Sequence, residues 1–282
     1  GDVYKRQVLM VGVGTFGAII GDRFFNAFTL TLIMQQVAIV GIVGIAQTLV
    51  ILTAGIDLSV GAIMVLSSVV MGNLAVTHGM PAPLALFCGL LTGTICGVVN
   101  GFLVALVRLP PFIVTLGTWF IFEAANFIYS QNATIRAQDV EASAPLLQFL
   151  GNTFRIGGAV FTYAVVAVVL LVALFYYILN HTAWGRHVYA LGDDPDAARL
   201  SGISTRRVLI SVYAVAGLIC GFAGWALIGR LGSVSPTSGY EANIQSITAV
   251  VIGGTSLFGG RGSVIGTLIG ALIVGVFAMG LR

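Results

Sequence analysis

A few polar side chains stand in long apolar runs of this 282-residue chain, and they are the groups whose chemistry could matter. Gln35, Gln36, Gln47, Asn100 and Asn126 carry amides, which both donate and accept hydrogen bonds. Such groups suit a neutral, hydroxyl-rich solute, and they equally serve to join helices to one another. Asp57 and Ser59 lie in Thr53-Ala54-Gly55-Ile56-Asp57-Leu58-Ser59-Val60-Gly61, a polar break in an apolar region. Gly55 can end one helix and Asp57 can cap the next. Capping accounts for Asp57 in full, and a gate or coupling role is the second reading. Glu123 is the other isolated acid, either facing a water-filled cavity or reaching the surface. Thr255 and Ser256, in a glycine-rich stretch, complete the candidate translocation path or gate: Asp57, Ser59, Gln47, Asn100, Glu123, Asn126, Thr255 and Ser256.

Other motifs exclude chemistry. Gly12, Gly14 and Gly17 form a GxGxxG string with no strand before it, so a dinucleotide site is not expected. Gly253 to Ser263 has the look of a phosphate loop but lacks the Gly-Lys-Ser/Thr ending. The chain therefore carries no nucleotide site of its own. His78, His181 and His187 are scattered over loops, and Cys88, Cys96 and Cys220 lie in apolar segments without metal or redox spacing. No metal ligand set and no catalytic residue is proposed.

The stretch Gly192 to Ile203 is a different kind of candidate. Asp194 suits a helix N-cap, Pro195 the first helical position, and Asp196 the positive end of the dipole. Ala197, Ala198, Arg199, Leu200 and Ser201 continue the helix, Gly202 supplies a left-handed stop, and Ile203 follows. The short helix, about 10 Å long, would present Ala197, Ala198 and Leu200 to a groove on a soluble partner. An ordinary capped connector is the equal alternative.

The elements that hold these residues follow from composition. Charged residues are 8% of the chain and hydrophobic residues 58%, against roughly 25% charged in soluble domains. No Asp, Glu, Lys or Arg occurs in 24–56, 58–107 or 156–185, each longer than the ~20 residues that cross a bilayer as a helix. Backbone groups in lipid must be satisfied internally, and the long apolar runs lack barrel alternation, so helices are expected. The reading is an all-α polytopic bundle, a single domain over 1–282, of about eight or nine segments with broken helices. Spans are expected near 7–20, 29–54, 60–77, 84–107, 112–129, 159–179, 208–228 and 263–281. A ninth segment, 244–258, is either a full span or a re-entrant piece. Counted as crossing, it leaves eight Lys/Arg on one side against five on the other. That bias places the N-terminus, 55–59, 108–111, 180–207 and 259–262 in the cytoplasm. Gly89, Gly93, Gly97 and Gly101 share one helix face, as do Gly217 with Gly221 and Gly262 with Gly266 and Gly270. Such faces let helices approach closely in lipid. The net charge of +3 without a basic stripe gives no reason to expect nucleic acid.

Four segments carry a resemblance: Gln47 to Gly61; Asn100-Gly101 with Leu109 to Thr118; Gly185 through Gly192 into Asp196 to Ile203; and Ala249 to Ser263. Together they resemble the permease subunit of carbohydrate ABC importers of the ribose, arabinose, xylose and fructose permease family. Ala54 departs from that pattern, which usually has a second glycine there and so puts in doubt a need for glycine flexibility. Gly1 to Gln7 do not match the family's start and are expected to be non-native, and the C-terminus is expected to be truncated.

The resemblance implies a transport subunit, not an enzyme, in the bacterial inner membrane. It implies a second permease copy, identical or related, and a periplasmic sugar-binding protein. It also implies a cytoplasmic ATPase with two nucleotide-binding halves, holding ATP and Mg, docked on Asp194 to Ile203. The cargo would be a pentose, hexose or related polyol. The rivals are an ion-driven secondary transporter using Asp57 or Glu123, a passive channel, and an amino-acid permease of the same superfamily. The docking reading predicts that Ala198→Asp or Leu200→Asp abolishes uptake while the protein stays in the membrane. Asp57→Asn keeps a capping side chain and should change little, and loss of proton- or sodium-dependent uptake in that variant would support the ion-driven rival.

Overall fold

The computed structural model describes residues 7–8, 10–15, 27–156 and 158–280. In chain order the elements are α1 (Ala27–Leu52), α2 (Val60–Gly72, continued by a π turn Asn73–Thr77), α3 (Ala82–Ala105) and α4 (Pro111–Ser130). Then come α5 (Ala137–Ser143), a 3-10 turn (Pro145–Gly151), strands β1 (Thr153–Ile156) and β2 (Ala159–Thr162), α6 (Tyr163–His181), α7 (Ala183–Asp193) and α8 (Pro195–Leu200). The chain closes with α9 (Thr205–Leu231), α10 (Ala242–Ile252) and α11 (Val264–Gly280). Among the described residues six helices are long and apolar enough to cross a membrane: α1, α2 with its π turn, α3, α4, α6 and α9. The fold is the expected polytopic helical bundle. The expected span at 7–20 is helical at 7–8 and 10–15, and residues 9 and 16–20 lie outside the described residues.

Proline marks the helix starts. Pro83 lies in the first turn of α3, and Pro111 opens α4, where the missing N–H costs nothing because no carbonyl precedes it in the helix. One boundary differs from expectation. Residues 159–162, read as the start of a span, form β2, paired antiparallel to β1 from Thr153↔Thr162 to Ile156↔Ala159. Gly158 turns the hairpin at φ +86°, and Phe154 stacks on Phe161. A second difference is α7, which fills much of what reads as connecting loop. Thr182 caps it by accepting from the Gly185 N–H.

The glycine faces meet one another. A Cβ on Gly93 would lie 2.4 Å from the Gly217 carbonyl oxygen, and one on Gly97 2.1 Å from that of Tyr213. The α3 and α9 backbones thus touch along their length, and α10 and α11 do likewise where Gly270 faces the Ala249 carbonyl oxygen at 1.9 Å from an added Cβ.

Contacts sort the loops into two ends, and the sorting agrees with the charge-based one. At one end Ile135 and Val234 exchange backbone bonds of 3.0 Å, and the Gln148 amide donates to Gly232 O at 2.6 Å. At the other, Gly260 N donates to Leu52 O at 3.0 Å, and Tyr189 OH donates to Gly262 O at 2.9 Å. Burial raises the Tyr189 phenol above its ordinary pKa, so it remains a neutral donor. These are called the 130–158 end and the 180–207 end below.

Two segments are not helical where the bundle is closed. Residues 53–59 return inward from the 180–207 end to start α2, and 232–241 run inward from the 130–158 end to start α10. At 11 residues, α10 rises about 16 Å, roughly half of a ~30 Å hydrocarbon core. The ninth segment is therefore a half-span helix entered from irregular backbone.

Gly97→Val should be expelled by the α9 backbone, costing about 3 kcal/mol or more. Gly117→Ala, with nothing within 4 Å of the new methyl, should be neutral or stabilising. Thermal unfolding of the two purified variants in detergent checks both.

Candidate functional site

The break between α1 and α2 is where most of the isolated polar side chains converge. Asp57 is 1% exposed, and Gln47, Ser59 and Asn100 are 0%. One Asp57 carboxylate oxygen accepts from Ser59 N at 2.7 Å and from Ser59 Oγ at 2.6 Å. The carboxyl group thereby sits at the start of α2, beside the positive end of its dipole. Asn100, on α3, donates to Ser59 Oγ at 2.8 Å. The Gln47 amide, oriented so that both its partners are satisfied, donates to Asp57 O at 3.0 Å and accepts from Asp57 N at 3.3 Å.

Two further side chains complete the cluster. Thr115 of α4 accepts from Leu58 N and donates to Ile56 O, both at 3.1 Å. Asn243 of α10 donates to Leu58 O and accepts from Gly61 N at 3.5 Å. The backbone of 56–61 thus finds its partners on α1, α4 and α10, while α3 holds Ser59. A buried peptide group left without a partner would cost about 1–3 kcal/mol. Hydrogen bonding of the break explains Gln47, Asp57, Ser59 and Asn100 together, with one correction: the N-cap of α2 is Ser59, which makes no side-chain cap bond, and Asp57 instead holds that residue from two positions before it. Asn243 and Thr115 do not stand out in the sequence. The signal that could have located Asn243 is the run Ser235-Pro236-Thr237-Ser238-Gly239, which marks a second break just before it.

That second break is held in the same way. Asn126 of α4 donates to Pro236 O at 2.8 Å and to Tyr240 OH at 3.0 Å. Glu123, one turn earlier, is half-buried. The structure therefore separates Glu123 and Asn126 from the Asp57 cluster. The two breaks touch where a Cβ on Gly61 would lie 3.4 Å from Tyr240 O and from the Asn243 side chain.

At the mouth of the second break lies a cavity of about 280 Å³, near the lower bound of roughly 300 Å³ for ligand clefts. Gln36, Gln245, Thr237, Ser238, Arg230 and Glu241 supply its polar lining. Gln36 donates to Gln245 at 2.6 Å across it. Gln36 was legible as a polar residue in a span, but Gln245 was not.

Thr255 and Ser256 join neither the cluster nor the cavity. They fold the turn 253–262, in which Ser256 N donates to Arg261 O at 2.8 Å and Phe258 N to Ser256 Oγ at 3.2 Å. This turn packs on the end of α7. A Cβ on Gly192 would lie 1.8 Å from Leu52 O and 2.6 Å from Gly260 N, so only glycine fits. The next residues form α8, where Asp194 accepts from Asp196 N and Ala197 N at 2.9 Å each. Gly202 takes φ +85°, and Ile203 N donates to Ala198 O at 3.1 Å. The capped helix is as expected, with one correction. Ala198 is 4% exposed and faces inward, because it lies on the helix face turned to the bundle, whereas Leu200 is 85% exposed. Ala198→Asp would therefore disturb packing and does not report on docking. Phe258, 90% exposed on the neighbouring turn, is an apolar knob that nothing in the sequence singles out.

Ala54 sits at φ +60°. The break does need a left-handed residue there, and alanine adopts it at a cost of about 1–2 kcal/mol.

Asn243→Ala strands the Leu58 carbonyl and should lower stability by about 1–3 kcal/mol. Asp57→Asn keeps an acceptor for Ser59 N and should lose less than Asp57→Ala. Melting temperatures in detergent, compared across the three variants, give the ranking.

Residues 29–281 match the family described as "Branched-chain amino acid transport system / permease component". The chain is 67% identical to a fructose import permease protein of Rhizobium meliloti over 275 residues, covering 98% of this chain and 76% of that protein. It is 38% identical to a ribose import permease protein of Bacillus subtilis, covering 94% and 80%, and 32% identical to a D-allose transport system permease protein of Escherichia coli, covering 98% and 82%. No solved structure matches the chain. A bundle with six candidate spans among the described residues and two broken segments, matched by the family nearly end to end, places this chain in the branched-chain amino acid transport system permease family.

Proposed function

We propose that this chain is the membrane-spanning subunit of an ATP-driven importer of a monosaccharide, with the 180–207 end in the cytoplasm. The observation that carries the reading is that Leu200 and Phe258 are 85% and 90% exposed, on a capped helix and on the turn that packs against the end of α7. Two large apolar side chains held out from one end of the bundle suit a groove on a soluble partner, here an ATPase that binds ATP and Mg. This chain does no chemistry of its own.

The geometry supports a route for the coupling. A displacement of α8 reaches Leu52 through the glycine contact at Gly192, and Leu52 leads directly into the 53–59 break. The break and its partner at 232–241 are the parts of the bundle whose backbone depends on side chains, so they are the parts that can rearrange. A binding protein would deliver the sugar at the 130–158 end, where the cavity beside Gln36 and Gln245 offers neutral amides and hydroxyls. A second permease copy would complete the path.

The relatives' cargoes, fructose, ribose and D-allose, support a monosaccharide, and the 67% identity makes fructose the first to test. The ion-driven alternative lacks support. A coupling carboxylate has to exchange with water, and of the two candidates Asp57 is 1% exposed and engaged by Ser59, which leaves only the half-buried Glu123.

Proteoliposomes holding the chain with its ATPase and binding protein should take up fructose only when both partners and ATP are present. Leu200→Asp and Phe258→Asp should each cut uptake and ATPase co-purification by at least tenfold, with normal amounts of monodisperse protein in the membrane. Uptake by the chain alone under an ion gradient, or undiminished uptake in both variants, would sink the reading.

A further inference from the structure

At the 180–207 end, a cavity of about 660 Å³ opens between the end of α3, α8 and the start of α9. Arg108, Arg199, Arg206 and Arg207 all line it, and no Asp or Glu does. Among the described residues the ion pair found for any of them is Arg199 with Asp196, whose carboxylate lies 3.5 Å away with both side chains exposed, and such surface pairs are worth about 1 kcal/mol at most. Four guanidinium groups with so little compensation hold an excess of positive charge in one concave place. The start of α9 adds to it. Ser204 makes no side-chain cap bond, and Thr205 N donates to Ile203 O at 2.9 Å, so at the start of this 27-residue helix it is the Arg206 and Arg207 N–H groups that are left for another acceptor. Arginine forks and helix-start N–H groups together suit the tetrahedral oxygens of a phosphate.

The surroundings say where that phosphate comes from. Arg108 lies between α3 and α4, where two crossing helices end. Beside it Leu106, Val107 and Leu109 are 43%, 51% and 42% exposed, and Phe112 and Ile113, on the first turn of α4, are 51% and 61% exposed. An acyl chain would cover those apolar side chains while its headgroup sat among the arginines. A free phosphate or an acidic protein side chain would leave them bare. We propose that this cavity binds the phosphate headgroup of an anionic phospholipid from the adjoining leaflet. The lipid would bridge α8, through Arg199, to the ends of α3 and α9. The proposal rests on the membrane placement of the bundle and not on its cargo or energy source.

The test uses the full chain in nanodiscs of phosphatidylcholine containing a minor fraction of phosphatidylglycerol. Native mass spectrometry counts the lipids that stay bound after detergent release. A polybasic site gains roughly 1 kcal/mol per guanidinium, about fivefold in affinity, so R206Q/R207Q should lose phosphatidylglycerol retention more than tenfold and keep phosphatidylcholine unchanged. R206K/R207K should retain part of it. R136Q/R155Q, at the opposite end, should retain all of it and controls for overall charge. Equal retention in R206Q/R207Q and wild type overturns the proposal. Displacement of the lipid by millimolar inorganic phosphate assigns the cavity to free phosphate and overturns it too. So does loss of ATPase co-purification in R206Q/R207Q with lipid retention intact, which would make the arginines a protein dock. Each outcome is read without sugar uptake, so a failure here leaves the importer reading standing.

Discussion

The structure depends on one requirement: a peptide group inside the bundle must find a hydrogen-bond partner, because neither lipid nor a dry core supplies one. Helices meet it by themselves. The 53–59 and 232–241 segments do not, and the bundle is arranged to meet it for them. Gln47, Thr115 and Asn243 reach the first segment from three different helices, and Asn126 reaches the second. Side-chain amides suit this duty because each offers a donor and an acceptor and can imitate a missing strand or turn. The bonds also fix how α1, α4 and α10 sit around the breaks, so local satisfaction and global packing are one problem here.

The glycine seams answer a related constraint. Lipid tails are as apolar as leucine, so burial alone does not press helices together, and close contact between backbones must supply the attraction. The α3–α9 seam gives the bundle a rigid spine, while Gly192 brings α7 against Leu52. The outcome is a stiff frame around two segments held by side chains. Transport asks for that division. In the importer proposed above, a frame that deforms everywhere would dissipate a push from the ATPase, whereas one with two replaceable sets of hydrogen bonds would change state at those sets.

The polar groups of the bundle therefore serve two purposes that composition does not separate. Asp57, Ser59, Gln47 and Asn100 are buried and mutually bonded, and their geometry is that of structural support for a break. Gln36 and Gln245 border a cavity with hydroxyls nearby, where the proposed function would place the solute. Both sets are amides and hydroxyls in apolar surroundings. Only their neighbours distinguish them.

The sequence by itself determined the membrane bundle, because a chain with 8% charged residues has no means of building a polar surface. It determined the boundaries of most membrane spans to within a few residues, since charge-free runs, prolines and glycines act locally, but it missed the helices Ala137–Ser143 and Ala183–Asp193. It determined the α8 cap as well, because Asp194, Pro195 and Gly202 all act within a turn of one another. Its resemblance to sugar importer permeases rests on motifs of the same local kind. Tertiary structure decided what depends on residues distant in the chain. Asn243 meets Leu58 across 185 positions, Gln36 meets Gln245 across 209, and Ala198 turns inward while Leu200 turns out. It also decided that 244–258 is a half-span and that position 54 is left-handed even with alanine there. These outcomes follow from which helix packs beside which, and hydropathy is silent on that because every span is apolar whichever neighbour it meets.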